Sequence, residues 1–93
     1  MVVGVLQLEL YIGDAMCLKD KRRVIKSLKD RIAHGHNVSV AEVGYLDLHR
    51  RSMLAVAMVG NDSGYVEGAL SKLVDFVRTV SRAELVEYQI DLL

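Results

Sequence analysis

The chain has no proline, no tryptophan, one phenylalanine and one cysteine. The lack of proline goes with the lack of any linker-like or low-complexity stretch, so the 93 residues are expected to form a single domain, 1–93, with a modest core. A lone Cys17 excludes an internal disulfide. No run of about twenty apolar residues with few charges occurs, so no membrane span is expected. The start, Met1-Val2-Val3-Gly4-Val5, lacks a basic segment, and Glu9 interrupts the apolar run that follows, so no signal peptide is expected either. Together these features point to the cytoplasm. Phosphate-cradling loops of the GxxxxGK[ST] or GxGxxG type are missing, and so is any catalytic constellation.

What the chain does have is an uneven distribution of charge. Apolar residues make up 52%, which predicts a folded globule, and the formal net charge is zero. That zero conceals a separation. Lys19, Lys21, Arg22, Arg23, Lys26, Lys29 and Arg31 fall within 13 residues that contain only Asp20 and Asp30, so this stretch carries +5 and the remainder −5. A local excess of this kind points to a polyanionic partner.

Periodicity predicts the elements. Val2 to Ile12 reads as a strand with Leu6, Leu8, Leu10 and Ile12 on one face, ended by Gly13-Asp14. Leu18 to Ala33 reads as a helix that buries Val24, Ile25, Leu28 and Ile32 and turns Lys19, Arg22, Arg23, Lys26, Lys29 and Asp30 outward, with Gly35 as its C-cap. Strands are predicted at Val38–Val43 and Ser52–Val59, the latter apolar on both faces, as suits a central strand. Asn61-Asp62-Ser63-Gly64 opens a second helix with Val66, Ala69, Leu70, Leu73 and Val77 buried, and Val86 to Leu92 alternates as a last strand. The order βαββαβ is the ferredoxin-like plan, an α+β sandwich with an antiparallel sheet ordered 4-1-3-2 and both helices on one face. Its connectivity puts Lys19, Lys21, Arg22, Arg23, Arg50, Arg51, Arg78 and Arg82 at one pole, here called the top.

Basic residues in a first helical turn have the wrong sign for the helix dipole, at about 0.3–1 kcal/mol each where exposed. A bound phosphate would offset that, since helix N-terminal N–H groups attract anions. The expected nucleic-acid contacts are Lys19, Lys21, Arg22, Arg23, Lys26, Arg50 and Arg51, with RNA favoured over DNA. Lys21 differs from its neighbours, because its wheel angle places it on the buried side, where a partly buried ammonium paired with Glu42 or Asp47 is expected. The sheet makes a poor base-stacking platform. Its first strand offers only Tyr11 outward, its third has no aromatic, and its last presents Glu87, Gln89 and Asp91. Val5 and the apolar third strand could instead form a small dimer patch.

His34 and His36 are expected at the bottom and His49 at the top. A six-residue strand of roughly 20 Å separates them, so no shared metal is expected. Cys17 precedes the helix beside Lys19 and Lys21, a setting that can lower a thiol pKa, but the one histidine that could come near it is His49, across the top. In Cys17-Leu18-Lys19-Asp20 the thiol stands where a capping box has Ser or Thr. Asp14 and Asp47 read as salt-bridge partners amid the arginines.

The run Leu18-Lys19-Asp20-Lys21-Arg22-Arg23-Val24-Ile25-Lys26-Ser27-Leu28, followed by Asn37-Val38-Ser39-Val40-Ala41-Glu42-Val43-Gly44, resembles the YlxP-like family of small bacterial proteins. The likeness covers nearly the whole chain. It implies a ferredoxin-like fold and a link to ribosome assembly, because such genes commonly neighbour translation and ribosome-maturation factors. It brings no catalytic residue and no cofactor. The chain departs from the family pattern at Cys17, where Ser is typical, and at Leu48-His49, where a Trp often follows the Asp of the hairpin. The expectation is therefore a non-enzymatic RNA- or ribosome-binding protein whose partner is RNA or the small subunit. The alternative is a small dimeric interaction or regulatory module acting through the open sheet face.

Overall fold

A computed structural model describes residues 1–93. Its elements are β1 (Val2–Tyr11), α1 (Leu18–Gly35), β2 (Ser39–Gly44), β3 (Arg51–Gly60), α2 (Ser63–Val80) and β4 (Glu84–Leu92). The strands form one antiparallel sheet ordered β2-β3-β1-β4, which is the ferredoxin-like arrangement. β3 and β1 are the central strands, and their apolar faces explain why. Leu6, Leu8 and Leu10 of β1 and Leu54, Val56 and Met58 of β3 point at the helices and join Ile25, Leu28 and Ile32 of α1 and Val66, Leu70, Leu73, Val74 and Val77 of α2 in one cluster.

Each edge strand carries an irregularity. Pairing of β2 with β3 shifts between Glu42 and Gly44, and pairing of β4 with β1 shifts at Leu10, leaving Val43 and Val86 exposed. Such bulges bend an edge strand and re-aim the side chains beside them.

The helices are seated differently. α2 lies close on the sheet: a Cβ added at Gly4 would come within 2.5 Å of Val66 Cγ1, and one at Gly60 within 2.6 Å of Val66 Cγ2. α1 is displaced toward the top. Its C-terminal His36 packs edge-to-face on Phe76, with ring centroids 5.0 Å apart, and Phe76 lies in the last third of α2 rather than near its start. His36 is therefore not at the bottom of the domain, as the idealised topology implied. The helix also ends differently from the sequence reading. Gly35 remains helical and is not left-handed; the C-cap is His36, with extended backbone and Nδ1 3.0 Å from Ile32 O. With Nδ1 protonated, the ring supplies the last turn with the donor that a glycine-based cap would draw from backbone N–H groups.

Candidate nucleic-acid interface

The top of the molecule is tied together by one lysine. Lys21 is fully buried, with its ammonium 2.9 Å from Glu42 Oε2. It also donates to the carbonyl oxygens of Tyr45 (2.9 Å), Leu46 (3.3 Å) and Arg51 (3.3 Å). The same Glu42 oxygen also accepts from Ser52, whose hydroxyl donates to Oε2 at 2.7 Å. A buried ammonium is tolerable only when paired and hydrogen-bonded, and here it has four acceptors. The network fastens the first turns of α1 to the β2–β3 hairpin. It also accommodates Tyr45, a non-glycine residue at φ 57°, whose carbonyl accepts from both Lys21 and Leu48 N–H. The pairing with Glu42 agrees with the helix-wheel reading, and the burial is complete rather than partial. The same burial corrects the list of expected phosphate contacts: Lys21 has no ammonium surface left to offer.

The remaining expected contacts divide among three surroundings. Lys19, Arg22 and Arg23 stand exposed on the first turns of α1 and make no hydrogen bond or ion pair with the protein. Lys26 is exposed and pairs with Asp30 one turn on, at 3.0 Å. Arg50 and Arg51 belong to the hairpin side. Arg50 donates from Nε to Ala15 O at 3.2 Å, and its own carbonyl accepts from Ile12 N–H at 2.9 Å, so it staples the β1–α1 loop to the hairpin. Arg51 lies on the sheet face away from the helices, over the Tyr45 ring at 4.1 Å and bonded to Glu9 and the Tyr45 hydroxyl. The hydrogen bond to Glu9 raises its pKa above the ordinary arginine value, so it stays cationic. The seven expected residues therefore do not make one surface. Lys19, Arg22, Arg23 and Lys26 share the α1 face, Arg50 and Arg51 brace the hairpin, and Lys21 is interior.

Two cations outside that list stand nearer the unpaired set than the hairpin arginines do. Arg31 also lacks a protein partner and, with Arg23 and Arg82, borders a groove beside α1. Its place follows from spacing, since Arg23, Ser27 and Arg31 recur every four residues along one helical edge. Arg82 pairs with Asp14 at 3.1 Å, a contact across 68 positions of sequence that only the tertiary fold creates.

The start of α1 is left open. Cys17 is the N-cap, its backbone extended and its exposed thiol bonded to nothing. Asp20 reaches back to Met16 N–H at 3.0 Å, one residue earlier than a capping box would have it. The first intrahelical bond runs from Lys21 N–H to Cys17 O, and the N–H groups of Leu18, Lys19 and Asp20 have no protein acceptor. The three histidines are separated: His36 is on Phe76, and His34 and His49 are exposed.

On the far side of the sheet, Val3 and Val5 of β1 and Met53, Ala55 and Ala57 of β3 are uncovered by any helix. A shallow hollow of about 230 Å³ runs over Val5, Ala41, Ala55 and Ala57. No helix is long and apolar enough to cross a membrane.

The family described as "Protein of unknown function (DUF503)" matches residues 3–90. The "Uncharacterized protein YlxP" of Bacillus subtilis (strain 168) is 32% identical over 90 residues, which span 89% of this chain and 98% of that protein. A family match running from Val3 to Ile90, together with a full-length relative at that identity, places this chain in the DUF503 family.

Proposed function

We propose that this protein is a cytoplasmic, non-catalytic RNA- or ribosome-binding accessory protein, acting in small-subunit maturation or translation. One observation carries the reading. Lys19, Arg22, Arg23, Lys29 and Arg31 stand on α1 without a carboxylate or carbonyl partner in the protein. An isolated domain gains nothing in stability from five unpaired cations on one helix, and those in its first turn oppose the helix dipole. A polyanion supplies the missing counter-charge, and the free N–H groups of Leu18, Lys19 and Asp20 add donors for phosphate oxygens at the same end. Lys26 joins this surface, because its exposed pairing with Asp30 is weak enough to yield to a phosphate. The test is sedimentation of the protein with ribosomal particles from lysate at increasing salt. Co-migration with small-subunit precursors that weakens as salt rises supports the reading; migration only at the top of the gradient at low salt refutes it.

A second reading rests on the uncovered sheet face. Its small apolar side chains around Val5, Ala55 and Ala57 would suit a second copy of this chain. A sizing experiment separates the two: a dimer with no affinity for heparin favours the sheet face over α1.

A further inference from the structure

The displacement of α1 toward the top leaves a groove of about 410 Å³ between its α2-facing edge, the β1–α1 loop and the turn that leaves α2. From this groove we infer a site for a single phosphorylated nucleotide unit of a single-stranded RNA, with Arg23, Arg31 and Arg82 as its phosphate-binding residues. The inference rests on the RNA reading above and extends it to Arg82 and to a cavity that the exposed face of α1 does not include.

Three features carry it. The first is convergence of charge. Arg23 and Arg31 come from α1 and Arg82 from the α2–β4 turn, and all three line one concavity. Guanidinium groups match phosphate bidentately, and Arg23 and Arg31 have every donor free. The second is the state of the carboxylates. Asp14 and Asp20 also line the groove, but Asp14 already accepts from Arg82 at 3.1 Å and Asp20 from Met16 N–H at 3.0 Å. Neither balances Arg23 or Arg31. The third is shape. Eight residues along a helix place the Cα atoms of Arg23 and Arg31 about 12 Å apart, so the concavity between them is longer than a phosphate ion. Between them lie the Ser27 hydroxyl and an apolar floor that includes Ile12, Val24, Leu28 and Val80. A cationic rim over an apolar floor fits a ligand whose phosphate meets the arginines and whose sugar and base lie along the floor, and the volume is within the usual range for a small-ligand site.

The phosphorylated nucleotide can come from RNA or be free, and the two sources are separable. The full chain, isotopically labelled, is titrated by amide NMR with inorganic phosphate, with AMP and with an eight-nucleotide single-stranded RNA. The RNA should shift the amides of Ser27 and Ser81 and saturate at a concentration at least about tenfold below that of AMP, because it adds phosphate contacts along α1. Arg31→Gln with Arg82→Gln should weaken RNA binding about tenfold and flatten the salt dependence by about 1.4 in log–log slope, two contacts at roughly 0.7 each for a single strand. Lys72→Gln on α2 should change neither. If Lys19→Glu with Arg22→Glu weakens RNA binding and the folded groove pair does not, the groove inference falls and the RNA reading stands. If AMP shifts Ser27 and Ser81 and RNA shifts nothing, the RNA reading falls and the groove stands as a site for a free nucleotide. Silence of both amides with both ligands, or equal shifts from phosphate alone, overturns the inference.

Discussion

α1 and α2 are each 18 residues long and pack on the same face of the same sheet, yet they are built by different rules. α2 obeys the rules for stability. Its N-cap is Asp62, whose side chain accepts from Tyr65 N–H at 2.9 Å, its last turn carries Arg78, and its buried stripe is entirely apolar. It settles onto two glycines, so Val66 meets the backbone of β1 and β3 directly. α1 violates the same rules at its start. Its N-cap thiol bonds to nothing, cations crowd its first turns, and the first residue of its buried face is a lysine. Local choices that oppose stability concentrate where a fold meets a partner. The difference between the helices is therefore the best guide to which end of the molecule acts, and each of the following measurements either breaks that contrast or sharpens it.

The largest effect should come from the lysine. Glu42→Leu removes the only carboxylate on a fully buried ammonium and also takes away the acceptor of Ser52. Breaking one side of a buried pair costs roughly 3–5 kcal/mol. Glu42 retains 15% side-chain exposure, so the lower part of that range is expected in a urea melt. The double variant Lys21→Met, Glu42→Leu should be clearly more stable than Glu42→Leu alone, because the stranded charge goes with its partner. Equal stabilities for the two would mean that the carbonyls of Tyr45, Leu46 and Arg51 suffice to hold the ammonium.

Arg22→Glu with Arg23→Glu tests the exposed face. Both side chains are exposed and unbonded, so folding should survive, with a small gain because the new carboxylates stand three or four positions from Lys19 and Lys26. RNA binding should fall by at least about a hundredfold, since a hydrogen bond to a charged group contributes about 1.5–3 kcal/mol and two are lost. Unchanged binding by the folded variant would remove α1 as the interface. A gain in stability coupled to a loss of binding is the signature the contrast predicts, and the equivalent change on α2, Lys72→Glu, should show neither.

How much of this was legible in the sequence varied with the range of the interactions. Alternation and helical period gave all six elements within one or two residues at most ends, because burial on one face dictates them locally. The wheel angle of Lys21 was enough to predict a buried pair, and Glu42 was one of the two partners named. What periodicity could not carry was the slide of α1 along α2, which depends on how Phe76, His36 and the hairpin fit together in three dimensions. The groove and the place of Arg31 beside Arg82 follow from that slide. The seating of α2 was equally hidden, since Gly4 reads as an ordinary interruption of a strand. Gly4→Ala would press a methyl group against Val66 and Leu70, at 2.5 and 2.8 Å, and should cost about 1–3 kcal/mol as an overpacking change. A neutral result by thermal melting would show that α2 is free to rise off the sheet, and its tight docking would no longer distinguish it from α1.

The smallest expected effect is also the most discriminating. Cys17 and Asp62 occupy the same position on the two helices, and only Asp62 caps. The N-cap backbone at Cys17 is already extended, with φ −161° and ψ 171°, so a better acceptor needs no change of chain path. Cys17→Ser should raise stability by roughly 0.5–1 kcal/mol, the lower part of the capping range, visible as a higher denaturant midpoint at constant slope. Its hydroxyl would accept from an N–H that now has no protein partner. If a phosphate uses those same N–H groups in the complex, the gain in the free protein must be given back on binding, and RNA affinity should drop by a few-fold. A stabilised variant with unchanged affinity would confine the phosphate contacts to side chains and leave the helix terminus to water. Loss of stability would mean that the open N-terminus is not a capping defect at all, and loss of all binding in a folded protein would assign the thiol a direct part in recognition.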